Sequence, residues 1–97
     1  MTTAEAKERL GSLFWIAILI RRGEAPKEQE ELLDEIIAEL LALDAQSASI
    51  LLYRYRWRLP FKDIAREINY SVAQTRRLHD AALEKYRKAQ ERKDENV

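Results

Sequence analysis

Phe61-Lys62-Asp63-Ile64-Ala65-Arg66-Glu67-Ile68-Asn69-Tyr70-Ser71-Val72-Ala73-Gln74-Thr75-Arg76-Arg77-Leu78 is the stretch that decides how the chain folds. Phe61, Ile64 and Ile68 recur at helical spacing, and Ala65 places a small side chain among them, so a second helix can approach closely. Asn69 tolerates a left-handed backbone, and Ser71-x-x-Gln74 is a capping box that restarts a helix. The pattern predicts a helix-turn-helix from about Pro60 to about Lys88, with Phe61–Ile68 as support and Val72 to about Lys88 or beyond as the second helix. On that second helix Thr75, Leu78, Ala82, Leu83 and Tyr86 form an inward stripe. Ala73, Gln74, Arg76, Arg77 and Asp80 face outward.

Upstream of this unit, Pro60 ends a third helix that Asp44 caps and in which Ile50, Leu51 and Tyr55 point inward. A second helix starts at Pro26 with Glu28, Glu30 and Glu31 in its first turns. Leu33, Ile36, Ile37, Leu40 and Leu41 give it one apolar stripe. Thr2-x-x-Glu5 is another capping box, opening a first helix to about Arg22 with Gly23 as its stop. Leu13–Ile20 is apolar on nearly every face and fits buried helix or buried strand by periodicity alone. No second strand candidate exists to pair with it, so helix is the reading. The expectation is an all-α fold of about five helices without a sheet. Residues 1–43 form an N-terminal helical pair for core and oligomerisation, 44–90 form the helix-turn-helix region, and 91–97 form a charged tail that frays.

Composition narrows the function. Ninety-seven residues make one compact domain, or one domain with a helical extension, and at this size the chain buries only about two-thirds of its unfolded surface and gains from an oligomer. The absence of cysteine removes disulfides and thiolate zinc sites. Leu13–Ile20 falls short of the roughly 20 apolar residues a bilayer requires. The acidic Glu5 and Glu8, and Arg21-Arg22 in place of a cleavage site, do not suit a secretion signal. A soluble, cytoplasmic protein is expected. Net charge is zero, but through Ala48 five basic residues face ten acidic ones, a charge of −5, and from Ser49 onward twelve face seven, a charge of +5. That asymmetry suggests an acidic assembly half and a basic half suited to phosphate.

No nucleophile–base pair, glycine-rich phosphate loop or metal-ligand spacing occurs, so neither an enzyme nor a cofactor is expected. His79, the single histidine, has no partner set for metal or acid–base work and is assigned to packing or hydrogen bonding. Trp57 and Tyr53 beside Pro60 are assigned to packing. The outward face of the second helix has the chemistry of a reader, since Arg matches guanine bidentately and Gln matches adenine. Ser71 at the helix N-terminus suits a backbone phosphate. Arg54, Arg56, Arg58 and Lys62 suit phosphate contacts from the adjoining helix and turn, although alternating arginines also occur on ordinary exposed faces.

These residues also resemble a family. Ile50-Leu51-Leu52-Tyr53-Arg54-Tyr55, Phe61-Lys62-Asp63-Ile64-Ala65-Arg66-Glu67-Ile68, Tyr70-Ser71, Thr75-Arg76-Arg77-Leu78 and Ala82-Leu83-Glu84-Lys85-Tyr86 look like the fourth region of bacterial sigma factors. Tyr70-Ser71-x-x-Gln74, Arg77-Leu78-His79 and Ala82-Leu83 are similar to small sigma-like transcriptional regulators encoded by phages and prophages. The resemblance spans about Asp44–Lys88. Ala73 stands where sigma factors often carry a charged reader, and Thr75 replaces an apolar core residue. The resemblance implies double-stranded DNA as partner, with Gln74, Arg76 and Arg77 as recognition positions. Ser71, Ala73, Asp80, Lys62 and Arg58 complete the expected DNA surface. A homodimer is expected through Leu13, Phe14, Trp15, Ile18, Leu33, Ile37 and Leu40. Two other readings are a sigma-like phage protein that grips a host protein, such as RNA polymerase or a defence complex, and the DNA-recognition subunit of a packaging terminase.

Overall fold

Thr2 Oγ1 accepts the Glu5 N–H at 3.1 Å and Glu5 Oε1 accepts the Thr2 N–H at 2.9 Å, so the first helix begins with its end groups satisfied. This helix, α1, spans Thr3–Arg21 and ends before Gly23, whose φ of +71° reverses the chain. The computed structural model describes residues 1–95. Within it α2 spans Lys27–Leu41 behind Pro26, and α3 spans Ala45–Leu51, with Asp44 Oδ2 accepting the Ser47 N–H at 3.1 Å. Then come α4, Phe61–Ile68, and α5, Val72–Glu95. The fold is all-helical, with no strand among the described residues. No described helix is long and apolar enough to cross a membrane.

One feature departs from the expected regular third helix. After Leu51 the helix widens into a π-helical turn, Leu52–Arg56, in which the Trp57 N–H reaches back to the Leu52 carbonyl at 3.2 Å. Arg58 then takes a left-handed conformation with φ +53°, a strained choice for a residue with a side chain. Arg54 Nη1 closes the exit by donating to the Leu59 carbonyl at 3.1 Å. Nothing in the sequence announces this turn, because its residues are good helix or strand formers without Gly or Pro until Pro60.

The largest buried cluster draws on α1, α2, α3 and α5. Leu10 and Leu13 of α1, Ile36 and Leu40 of α2, Leu51 of α3, and Ala82, Leu83 and Tyr86 of α5 form one buried cluster. The N-terminal pair and the C-terminal region therefore share a core, and α1 packs against the π-helical turn, α2 and α5. A polar clasp lies beside that core. Tyr86 donates to Glu39 Oε1 at 2.7 Å, and Arg9 reaches Glu39 through two nitrogens at 2.9 and 3.2 Å. Arg9 Nε also donates to the Tyr86 hydroxyl at 3.1 Å, so α1, α2 and α5 are tied at one point. Burial alone would raise the Glu39 pKa; hydrogen bonds from Arg9 and Tyr86, with the Arg9 and Lys93 charges, outweigh it and hold the carboxyl below its ordinary value. The same surroundings push the Tyr86 phenol up, through burial first and the Glu39 carboxylate second.

Candidate nucleic-acid interface

α4 presents Ile64 and Ala65 to α5, and both are buried. Ala65 matters because a larger residue would hold the two helices apart. Asn69 ends α4 in the left-handed region, at φ 59° and ψ 42°, and the Tyr70 N–H returns to the Ala65 carbonyl at 3.1 Å. Ser71 then restarts the chain: its Oγ accepts the Gln74 N–H at 3.1 Å, and Gln74 Oε1 accepts the Ser71 N–H at 3.2 Å. Thr75 is fully buried, and its hydroxyl donates to the Ser71 carbonyl at 2.8 Å. That bond explains how a polar residue occupies a core position here.

His79 anchors α5 from below. Its Nδ1 lies 3.0 Å from Asp80 Oδ1 and its Nε2 lies 2.9 Å from the Tyr55 hydroxyl. A neutral ring satisfies both contacts: Nδ1–H donates to the carboxylate and Nε2 accepts from the phenol. Burial lowers the imidazole pKa against the opposing pull of Asp80. The ring also meets Phe61 edge-on, with centroids 5.1 Å apart, so His79 joins α5 to both α4 and the π-helical turn. Its packing role is thus specific.

Ala73, Gln74, Arg76, Arg77 and Asp80 are all exposed, as are Ser71, Lys62 and Arg58. They are not equally free. Ser71 and Gln74 use each other as cap partners, including a 3.1 Å bond from the Ser71 hydroxyl to Gln74 Oε1. Contact with DNA through either one would cost part of the cap. Asp80 is held by His79, and the Arg76 guanidinium lies 5.1 Å from the Phe61 ring centre. Arg58 leans the other way, with its guanidinium 4.5 Å from the Phe14 ring and 5.1 Å from the Trp15 ring. Arg77 and Lys62 have no ion pair among the described residues. Tyr70 and Val72, which the inward and outward stripes leave out, are also exposed at the tip. Tyr70 lines a shallow hollow with Gln74, Arg77 and Leu78.

The charge pairing sorts the basic residues. Arg9 and Lys93 meet Glu35 and Glu39 of α2, Lys85 meets Asp44, and Arg87 meets Glu84 and Glu91. Among the described residues Arg54, Arg56, Arg58, Lys62, Arg76 and Arg77 form no salt bridge. Along the distal half of α5, Lys93 is thus neutralised from α2, Lys85 by the Asp44 cap of α3, and Arg87 from α5 itself. The region around the π-helical turn and the start of α5 keeps its positive charge.

The expected dimer surface needs correction. Leu13 and Leu40 are 0% exposed within a single copy, so neither is accessible to a partner. Leu33 and Ile37 pack against the same core. Phe14 lies under Arg58, and Ile18 lines a groove with Arg21, Arg56 and Trp57. Trp15, 57% exposed, is the one expected interface residue that stands out from the surface. Leucines on an apolar stripe look alike whether they face their own chain or another, which is why periodicity misassigned them. The expected fraying of 91–97 is met at Glu91–Glu95 by continued α5, while Asn96 and Val97 lie outside the described residues.

Compared with family models, curated proteins and solved structures, the chain matches none.

Proposed function

We propose that the chain is a DNA-binding transcriptional regulator of phage or prophage type, acting in the cytoplasm of a bacterial host, with the first turns of α5 in the major groove. The observation that carries this reading is the capped restart of α5 beside a support helix, with Arg76 and Arg77 exposed and no carboxylate neutralising either among the described residues. Arg77 is the foremost base reader, since it has neither a cap role nor an aromatic partner. Arg76 follows. Tyr70 and Val72 add apolar surface suited to a sugar or a thymine methyl.

Selection from a random duplex pool defines the site. On it, Arg77→Ala weakens binding by about 1–3 kcal/mol and relaxes preference at one base pair. Binding also weakens steeply with added salt. An Arg77→Ala protein that keeps full affinity and preference for the selected site overturns the assignment. Two copies on a palindromic site would place half-sites about one helical turn apart, and sedimentation of the protein on one-half-site and two-half-site duplexes counts them.

A second reading has its own observation. Trp15 and Trp57 are 57% and 59% exposed, and both are flanked by arginines, Arg58 over Trp15 and Arg56 at 4.1 Å from the Trp57 ring. Trp and Arg dominate binding hot spots, so this surface suits a partner protein, for which RNA polymerase is one candidate. Its arginines would repel those of a second copy in a symmetric pairing. Lost partner binding in a Trp15→Ala/Trp57→Ala protein that still folds is the outcome this reading requires.

A further inference from the structure

α1, the π-helical turn and α5 meet at an open cleft of about 340 Å³. Lys7 enters it from α1, Arg54 from the π-helical turn and Arg76 from α5. Asp80 is the single carboxylate of its lining, and that carboxylate is already hydrogen-bonded to His79. None of the three cations has an ion pair among the described residues. Folding thus draws together three like charges from three elements, far apart in sequence, against one opposite charge. Such an arrangement works against stability by Coulomb repulsion unless an anion joins it.

The cleft is also preorganised. One ring, Phe61, carries both guanidiniums, with Arg54 4.3 Å and Arg76 5.1 Å from its centre. Arg54 is further fixed by its bond to the Leu59 carbonyl. Two planar forks held on an aromatic ring lose little freedom on binding. His79 adds no charge, because its neutral ring is spent on Asp80 and the Tyr55 hydroxyl. Two forks and an ammonium approaching from different elements suit a tetrahedral oxyanion, whose oxygens point in several directions, better than a planar carboxylate.

We propose that this cleft is a phosphate site in which Lys7, Arg54 and Arg76 grip one phosphate group, either a backbone phosphodiester beside the groove that α5 reads or the phosphate of a small phosphorylated molecule. The first source rests on the DNA-binding reading above; the second does not.

Lys7→Gln is the informative variant, since Lys7 is exposed, belongs to no cap and is not a base reader. Lys27→Gln on α2 serves as the control. Affinity for a selected duplex is measured across a salt series. In parallel, the His79 imidazole resonances are followed during addition of inorganic phosphate or a nucleoside monophosphate, with chloride at matched ionic strength. If a backbone phosphate is the ligand, Lys7→Gln weakens duplex binding at least about fivefold and lowers the salt slope by about one, and Lys27→Gln does neither. If a small phosphorylated molecule is the ligand, phosphate or the nucleotide shifts His79 and raises its titration midpoint, Lys7→Gln removes the effect, and duplex affinity is unchanged. Phosphate binding without any duplex binding keeps the cleft and defeats the DNA-binding reading. Duplex binding that is indifferent to Lys7, with His79 silent to phosphate, overturns the cleft and leaves the DNA-binding reading standing.

Discussion

His79 sits where α4, α5 and the π-helical turn meet, and its contacts make the fold sensitive to acid. Burial lowers its pKa from the ordinary 6.5, so the native state resists a proton that the unfolded chain accepts. The resulting stability is full above 6.5 and declines as pH falls through and below that value. Asp44, lowered to about 2 by its bonds to Ser47 and Lys85, and Glu39 add losses only further into the acid range. Urea midpoints measured over this range should fall from near-neutral pH downward in the native protein. In His79→Gln the decline should begin only where the carboxylates titrate. The sequence shows a lone histidine without a catalytic partner, and that much was legible. Its clasp to Tyr55 was not, because 24 residues separate the two and no local pattern links them.

The turn between α4 and α5 is the element most completely written into its residues. Asn69 occupies a left-handed position that costs most side chains about 1–2 kcal/mol. Asn69→Ala should lower stability by about that amount, whereas Asn69→Gly should change it little. Chemical denaturation of the pair separates backbone strain from lost side-chain contacts, since only strain predicts a loss for Ala and none for Gly. The caps at Thr2, Asp44 and Ser71 belong to the same class of signal: each is a contact within three residues, set by side-chain type and spacing. The π-helical turn is the contrasting case. It is stabilised by its packing on α1 and by the Arg54 bond to Leu59, and neither is a property of Leu52–Arg56 taken alone.

For the whole molecule, the shared core decides which parts can exist alone. Leu51, Ala82, Leu83 and Tyr86 are covered by Leu10, Leu13, Ile36 and Leu40, and the Tyr86 hydroxyl is satisfied by Arg9 and Glu39. A fragment from residue 44 onward exposes that apolar surface to water and loses the clasp that ties Tyr86 to Arg9 and Glu39. It should therefore lack a cooperative thermal transition by circular dichroism, while the full chain melts cooperatively. A sharp transition in the fragment would show that the helix-turn-helix region is a domain in its own right. The core also governs charge, because α2 lies where its acidic face neutralises Arg9 and Lys93 and leaves the cations around the start of α5 unpaired.

Helix class, helix order, the caps and the outward face of α5 follow from the sequence by itself, because each depends on side-chain type and on periodicities of a few residues. Two things were decided only in the tertiary structure. Leu13 and Leu40 turned into the chain's own core, and Lys7, Arg54 and Arg76 converged on one cleft. An apolar stripe specifies that a face is buried but not which surface covers it. A basic residue specifies a charge but not whether a carboxylate will neutralise it, and both questions are answered by elements that meet only after the chain has folded.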